Sequence, residues 1–579
     1  MRADCSDTLI SSRCCVETRE IIVHGQKEIA PILKNKIYLY LTEFFSGMAI
    51  MAVELGASRL LAPYFSSSQI VWTIIIATIM IAMAAGNVYG GRSADKHPDP
   101  DILYRRFLVA AVWIAAIPVL GKYVILLISG ALIITVSHHL LVIAAFLACM
   151  IIFVYPCFLM GTVTPSLVKY TVDSLEESGT TVGTLGAFNT VGSIIGTFLP
   201  TFVTIPAVGT AMTFLIFSGI LLILALVYFI SCHRKRAACI ICTVLYIVCI
   251  IFGNSSHFAF WENDLTYEGE SIYNYLQVRE NDRRVILSTN VLFGVQSVMQ
   301  KQDGLTGMYY DYAMAAPVMA AARDHAKAGS SGAAPAGDDP LSILILGMGS
   351  GTYDHQCRTY FRDLDIKGVE IDEKITDLAH QYFALPEDAD VITYDGRAYL
   401  AATDETYDVI MVDAYQDITI PFQMSSAEFF EMVKAHLNED GVMVVNMNLR
   451  SDADDGINTC LADTIGSVFP RVKTIDVPGN TNRILFAGNE IADRTAFAKA
   501  ASALSADDPE KKATMKPFLL RTYDGLEDYR AGQHILTDDQ APVELLGMRA
   551  IDQLVSEELA VYKEMYHEQG LRGIMDELL

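Results

Sequence analysis

The sequence predicts an α-helical transmembrane bundle followed by a Rossmann-like α/β domain, with a small β-unit at the start of that domain. Three observations carry this expectation. Apolar segments of spanning length fill residues 37–253, a membrane crossing needing roughly 20 residues. Beyond them, short apolar runs with strand character alternate with helix-compatible stretches. Acids then stand at the ends of three successive strands, at Glu370, Asp395 and Asp413.

At 579 residues the chain is too long for one ordinary core. Residues 1–36 read as a polar arm without the continuous apolar stretch of a cleavable signal peptide. Residues 37–253 follow as the transmembrane helical domain, with seven candidate spans at 37–62, 69–91, 106–134, 139–163, 183–205, 209–231 and 236–253. Glu43, Glu54, Arg59 and Asn189 lie inside them. Charge in lipid is costly and seeks a partner, and Glu54 and Arg59 are spaced to pair across about one helical turn. Gly192 and Gly196, with Gly183 and Gly186, give one helix a small-residue face for close packing. Cys239 and Cys242 have the C-x-x-C spacing but no second pair and no nearby His. They read as helix packing rather than a metal or redox site, and the eleven cysteines form no disulfide framework.

The polar half begins with a β-unit and helix over 262–320. Its strands are expected at 271–278, 284–288 and 294–299, before a helix over 309–324. Residues 325–340, rich in Ala, Gly, Ser and Pro, read as a surface loop. The Rossmann-like domain spans 341–490. Ile343–Leu346 is a buried strand, followed by Gly347, Gly349 and Gly351, a helical stretch, and a second strand that ends at Glu370 and Asp372. Strands at 391–394 and 407–412 end at Asp395 and Asp413, and further strands lie at 441–446 and 483–486. Such a sheet binds ligands beyond the carboxyl ends of its strands. Residues 491–579 read as a helical extension. Within it, Leu536–Glu544 is either a solvated acidic turn or a part of the site.

The glycines are spaced G-x-G-x-G, not G-x-G-x-x-G, and no G-K-[ST] follows. That pattern favours a nucleoside without a pyrophosphate, such as S-adenosylmethionine or a derivative, with the acid about 20 residues on holding the ribose diol. The net charge of −25 falls mainly on the polar half. It argues against a nucleic-acid partner, which needs basic patches, and suits a small cationic substrate. No metal site is visible.

At these residues the chain resembles the spermidine synthase (polyamine aminopropyltransferase) family, in its bacterial subgroup with a membrane domain fused ahead of the synthase. The matching segments are Ser271–Asn274, Gly294–Ser297, Tyr309–Asp311, Gly347–Gly351, Val369–Asp372, Asp395-Gly396, Tyr407–Asp413, Pro421–Phe430 and Thr537–Glu544. In the membrane half, Glu54–Pro63, Trp72 and Gly90–Asp95 are similar to that subgroup. The likeness covers roughly residues 37 to 545. It implies a domain of the S-adenosylmethionine-methyltransferase type that moves an aminopropyl group from decarboxylated S-adenosylmethionine to a di- or polyamine.

By this resemblance Asp413 takes the amine proton and Tyr273 orders that acid. The glycine loop, Glu370, Asp395 and Gln296 hold the nucleoside, Glu370 on the ribose and Asp395 on the adenine amino group. Asp311, Gln416 and Asp417 lie toward the amine. The chain departs from the family where Ser350 replaces an Asp, Asn274 a Gln, and Gln416 a second acid after Asp413. The nucleoside end of the site is kept better than the amine end. Two rivals are carried: an S-adenosylmethionine-dependent methyltransferase on the same fold, and a transporter or sensor binding nucleoside or polyamine without turnover.

Basic residues cluster at Lys34 and Lys36, at Arg92, Lys96, Arg105 and Arg106, and at Arg234–Arg236, all on one side of the membrane if the N-terminus is inside. Seven spans would then export the C-terminal domain, whereas a S-adenosylmethionine-type co-substrate favours the cytoplasm. The expectation is a multi-pass protein of the cell membrane, in contact with lipid, with its catalytic domain cytoplasmic. Homo-oligomerisation is left open.

Overall fold

A computed structural model describes residues 31–65, 68–135, 139–171, 178–254, 257–262, 264–291, 295–322, 340–414, 420–448, 454–554 and 556. The N-terminal half is helical: α1 (Lys36–Phe65), α2 (Gln69–Lys96), α3 (Pro100–Thr135), α4 (Leu140–Ile152), α5 (Val154–Gly161), α6 (Val163–Thr171), α7 (Ser178–Leu199), α8 (Ile205–Ser231) and α9 (Arg236–Gly253). Five stretches are long and apolar enough to cross a membrane, and α4 with α5–α6 forms a further one bent by 48°.

The longest of the five, Ser178–Ser231, is really two limbs. It passes through a π-helical turn at Pro200–Thr204 and then breaks at Gly209, whose φ of 79° is a left-handed backbone suited to glycine. Contacts with α1 fix its course. Gly192 and Gly196 of α7 abut the carbonyls of Phe44 and Met48, so α7 runs parallel to α1. Tyr38 donates to the Leu224 carbonyl at 2.7 Å while Gly56 meets Phe214, so α8 runs antiparallel to it. The chain therefore reverses at Gly209, and the described residues of the helical half form seven limbs.

A side chain at Gly192 or Gly196 would sit about 2 Å from an α1 carbonyl oxygen, which is the close backbone approach that small residues permit. Gly183 and Gly186 face open space and take no part in it. Asn189 Nδ2 and Thr164 Oγ1 donate to Glu43 Oε1 at 2.9 and 2.6 Å, so that buried acid is held within the bundle. The expected Glu54–Arg59 pair is not formed. Arg59 reaches out of the bundle to the carbonyls of Ser271 and Ile272, because α1 ends against the polar half.

Most of the basic residues of the bundle gather at one end. Arg106 bonds Ser93, Lys169 pairs with Asp95, and Arg234 with Asp101, all where α2, α6 and α8 end and α3 begins. The polar half packs on the opposite end, through the last turns of α1 and the start of the second limb.

The polar half opens with an antiparallel sheet of β1 (Leu265–Glu270), β2 (Tyr275–Glu280), β3 (Arg284–Ser288) and β4 (Ser297–Gln300), in that order. Residues 271–274, expected as strand, form a turn between β1 and β2 instead, because the Ser271 N–H closes onto the Asn274 carbonyl and Ser271 Oγ accepts from the N–H groups of Tyr273 and Asn274. The larger sheet comprises β5 (Leu341–Leu346), β6 (Leu364–Glu370), β7 (Asp390–Thr393), β8 (Tyr407–Val412), β9 (Leu437–Met447), β10 (Arg471–Asp476), β11 (Arg483–Gly488) and β12 (Glu527–Asp528). Its order is β12-β10-β11-β9-β8-β5-β6-β7, with β5 to β9 parallel and β10 to β12 antiparallel. This is a methyltransferase-like Rossmann-type arrangement. The strand sequence reverses direction between β5 and β8, and the crevice beyond their carboxyl ends is where such sheets bind ligands. β10 and β12 were not expected: a half-exposed strand and a two-residue strand carry little apolar signal.

Candidate active site

The residues following β5 and β8 meet at that reversal. Gly347 has φ +88°, and a side chain there would come within 2.6 Å of the Asp413 carbonyl oxygen. Glycine is thus required both by its backbone and by its neighbour. Gly349 and Gly351 also have positive φ. The Gly349 N–H donates to Glu370 Oε2 at 2.8 Å, and the Asp372 N–H to Oε1 at 3.1 Å. Two backbone donors therefore aim the Glu370 carboxyl from the end of β6. Burial pushes its pKa up, and these backbone bonds pull against that. Asp395, at the end of β7, accepts from the Ala398 N–H at 2.8 Å and caps the helix beginning at Gly396.

A cleft enclosing about 980 Å³, its open mouth included, lies over these strand ends. Glu370, Asp395, Asp413, Gly347, Gln296 and Tyr273 all line it, together with Asn274, Thr289, Ile371, Tyr394, Gln423 and Met424. Six of the sequence-predicted residues thus share one cavity, and Gly349 and Gly351 shape the loop beneath. Gln416 and Asp417 lie outside the described residues.

Asp413 is held by side-chain donors. Tyr309 donates to its Oδ2 at 2.5 Å, and Asn446 Nδ2 to its Oδ1 at 2.9 Å. Asn482 Nδ2 in turn holds Asn446 Oδ1 at 2.8 Å. Burial raises the Asp413 pKa to about 7, against the pull of the two hydrogen bonds, and the nearby Glu370 carboxyl adds to the rise. Burial and the Asp413 charge raise the Tyr309 hydroxyl well above its usual value, so it remains a donor.

Two expected roles are corrected here. The tyrosine that contacts Asp413 is Tyr309, not Tyr273, which sits on the turn between β1 and β2 at the cleft wall. Asp311 does not face the cleft. It accepts from the Thr306 N–H and hydroxyl and from the Gly307 N–H at 2.7–3.0 Å, closing the turn before its own short helix, Tyr309–Ala313. Consecutive helical residues point about 100° apart, so only one of Tyr309, Tyr310 and Asp311 can reach the strand ends. Tyr310 turns to the Gln296 carbonyl at 2.9 Å. Asn446 was legible by the strand-end rule, since it stands near the end of β9, the next parallel strand after β8. Ser350, the family departure in the glycine loop, is buried and faces Ser297 and Thr352.

The acidic block near the C-terminus braces one wall of the cleft. Arg397 donates both guanidinium nitrogens to Asp538, at 2.7 and 2.6 Å, and also reaches the carbonyl of Gln423. Arg397 and Ser426 hold the Asp538 carboxyl down to about 2. Glu544 accepts from the Gln69 N–H at 2.7 Å, at the start of α2.

A Spermine/spermidine synthase domain profile matches residues 332–473. Over 361 residues the chain is 49% identical to a probable polyamine aminopropyl transferase of Bifidobacterium longum, covering 60% of this chain and 77% of that one. The chain belongs to the polyamine aminopropyltransferase (spermidine synthase) family. A polyamine aminopropyltransferase of Chromobacterium violaceum is 31% identical over 112 residues, covering 19% of this chain and 43% of that one. The crystal structure of a probable spermidine synthase from Corynebacterium glutamicum aligns over 43% of this chain and 93% of its own, at 18% identity and a TM-score of 0.33. This aminopropyltransferase is an enzyme of alkyl transfer, and family membership decides for aminopropyl over methyl transfer.

Proposed function

We propose that the cleft takes decarboxylated S-adenosylmethionine and a di- or polyamine, and that Asp413 is the proton acceptor of the transfer. The observation that carries this reading is the Asp413 carboxyl, set at the β5/β8 crevice between Tyr309 and Asn446 and facing the same cleft as Glu370. An ammonium must lose a proton before its nitrogen can attack the methylene beside the sulfonium. A carboxyl with a pKa near 7 is matched to that task. As the new N–C bond forms, the C–S bond breaks and its electron pair stays on sulfur, leaving a neutral thioether nucleoside.

The residues fit this donor substrate. Glu370, aimed by two backbone N–H groups, is assigned to the ribose diol, and Asp395 to the adenine amino group. Gln296 and Tyr273 line the remaining walls, while Gln416 and Asp417 are assigned to the amine. Asp311 is withdrawn from that set. The acids also raise the local concentration of a cationic amine.

The helical bundle is proposed as a membrane anchor. Its outer faces carry Ile81, Leu127 and Phe252, each 70% exposed or more, as lipid contact requires. Its basic end lies away from the catalytic domain, and the charge bias puts that end in the cytoplasm. The proposed orientation therefore places the cleft on the opposite face, reversing the cytoplasmic expectation. Labelling intact cells with a membrane-impermeant maleimide checks this. Gln302→Cys should react and Lys96→Cys should be protected until lysis; the reverse pattern restores a cytoplasmic domain.

Purified full-length protein, given either nucleoside labelled in its transferable group and a panel of amines, tests the chemistry. Label should pass to the amine from decarboxylated S-adenosylmethionine alone. Methyl transfer, or binding without turnover, would overturn it.

A further inference from the structure

We propose that Arg59, near the end of α1, is a positioning residue for the transfer site. It holds the Ser271–Asn274 turn at the cleft wall and so makes the helical bundle a working part of that site. The inference rests on the reading of the cleft as the donor-substrate site.

Arg59 donates Nη1 to the Ser271 carbonyl at 3.2 Å and Nη2 to the next carbonyl, that of Ile272. One rigid fork thus takes two successive acceptors in one turn, a geometry that a lysine's point charge reproduces only in part. The two residues that follow, Tyr273 and Asn274, line the cleft. The same turn is gripped from the catalytic side: Ser271 Oγ donates to Asp372 Oδ2 at 2.5 Å and Asn274 Nδ2 to the same oxygen at 3.2 Å. The Asp372 N–H in turn bonds Glu370 Oε1. A short chain of contacts therefore runs from a bundle helix to the acid proposed for the ribose.

Neighbouring contacts repeat the pattern. Thr210, beside the Gly209 break, gives its N–H and hydroxyl to Glu270 at 2.8 and 2.6 Å, one residue before the turn. The Val291 N–H bonds the Pro63 carbonyl at 2.9 Å, two residues from Thr289 in the cleft wall. Bundle contacts thus fix both segments along this side of the cleft. An anchor alone needs only a tether. These contacts instead set the position of residues that line the site.

The test compares full-length Arg59→Gln and Arg59→Lys with a control at the same end of the bundle, Lys122→Gln, whose ammonium bonds the His257 carbonyl away from the turn. Arg59→Gln should raise the KM for decarboxylated S-adenosylmethionine about tenfold with kcat within threefold. It should also speed amide exchange in 271–274 while other segments keep their protection. Arg59→Lys should recover part of the KM, and Lys122→Gln should leave both constants unchanged. Wild-type KM and exchange in Arg59→Gln would overturn the proposal, as would a matching loss in Lys122→Gln or a general loss of protection. Glu370→Gln separates the two readings. If it weakens the donor while Arg59→Gln does not, only the positioning role falls; if it too keeps a wild-type KM, the cleft assignment falls and the proposal with it.

Discussion

The two halves of this chain treat buried polar groups in opposite ways. In the bundle, one oxygen of Glu43 is spent on Thr164 and Asn189, and Tyr228 on Asp101 at the basic end: polar groups that pair with one another within the helices. In the α/β half, Glu370, Asp395 and Asp413 are each held by internal donors and still line one open cleft. The first arrangement tolerates buried polarity, while the second aims it. The difference marks where the proposed chemistry resides: in acids that backbone or side-chain donors fix but that keep a face toward the cleft.

Changes to the aimed acids should alter kinetics with little effect on stability, and changes to the packed helices the reverse. Setting Asp413 aside, the largest of these effects is expected at Glu370. Replacing it by Gln removes a charged acceptor, and a hydrogen bond to a charged group contributes about 1.5–3 kcal/mol. The donor KM should rise roughly 10- to 100-fold in steady-state kinetics, with the unfolding midpoint nearly unchanged. An unchanged KM would blur the contrast between the halves.

Tyr309→Phe should lower kcat about tenfold and also move the pH profile, by the same size of hydrogen bond. The Asp413 pKa lies above that of an ordinary carboxyl, at about 7, so below that pH the group is mostly protonated and cannot take a proton. Wild-type kcat/KM should fall tenfold per unit on the acid side of pH 7 and level off above it. The Tyr309 hydroxyl stabilises the carboxylate, so its loss should shift this limb upward by about one unit. An acid limb that stays in place would separate Tyr309 from Asp413.

A smaller kinetic effect is expected from the bundle. Gly196→Leu forces a side chain against the Met48 carbonyl, and overpacking of this kind costs about 1–3 kcal/mol. The thermal midpoint in detergent should drop by several degrees while the donor KM stays within about twofold. A large KM change at unaltered stability would break the comparison from the other side.

The sequence made some of this legible and not the rest, for physical reasons. Hydropathy marks helices one at a time, and the candidate spans 183–205 and 209–231 divide close to where the chain breaks at Gly209. Strand-end acids are local signals too, and all three proved to share the cleft. What could not be read locally was direction. Glu54 and Arg59 are five residues apart, which puts them about 140° apart around the helix, and α1 ends against a turn more than 200 residues away, to which Arg59 turns. Tyr273 and Tyr309 both stand in family-like segments, and only the packing of the Tyr309–Ala313 helix decides which hydroxyl meets Asp413. Asp311 shows the same limit, since its acid is consumed by the turn that starts its own helix.

The central claim is that Asp413 takes a proton in aminopropyl transfer and does not merely shape the cleft. Asp413→Asn, made in the full-length chain, tests it when turnover and donor binding are measured on the same preparation. The account predicts a fall in turnover of about a thousandfold, with the dissociation constant for decarboxylated S-adenosylmethionine within about threefold of wild type. Turnover within tenfold of wild type, or a loss of donor binding as large as the loss of rate, would contradict it.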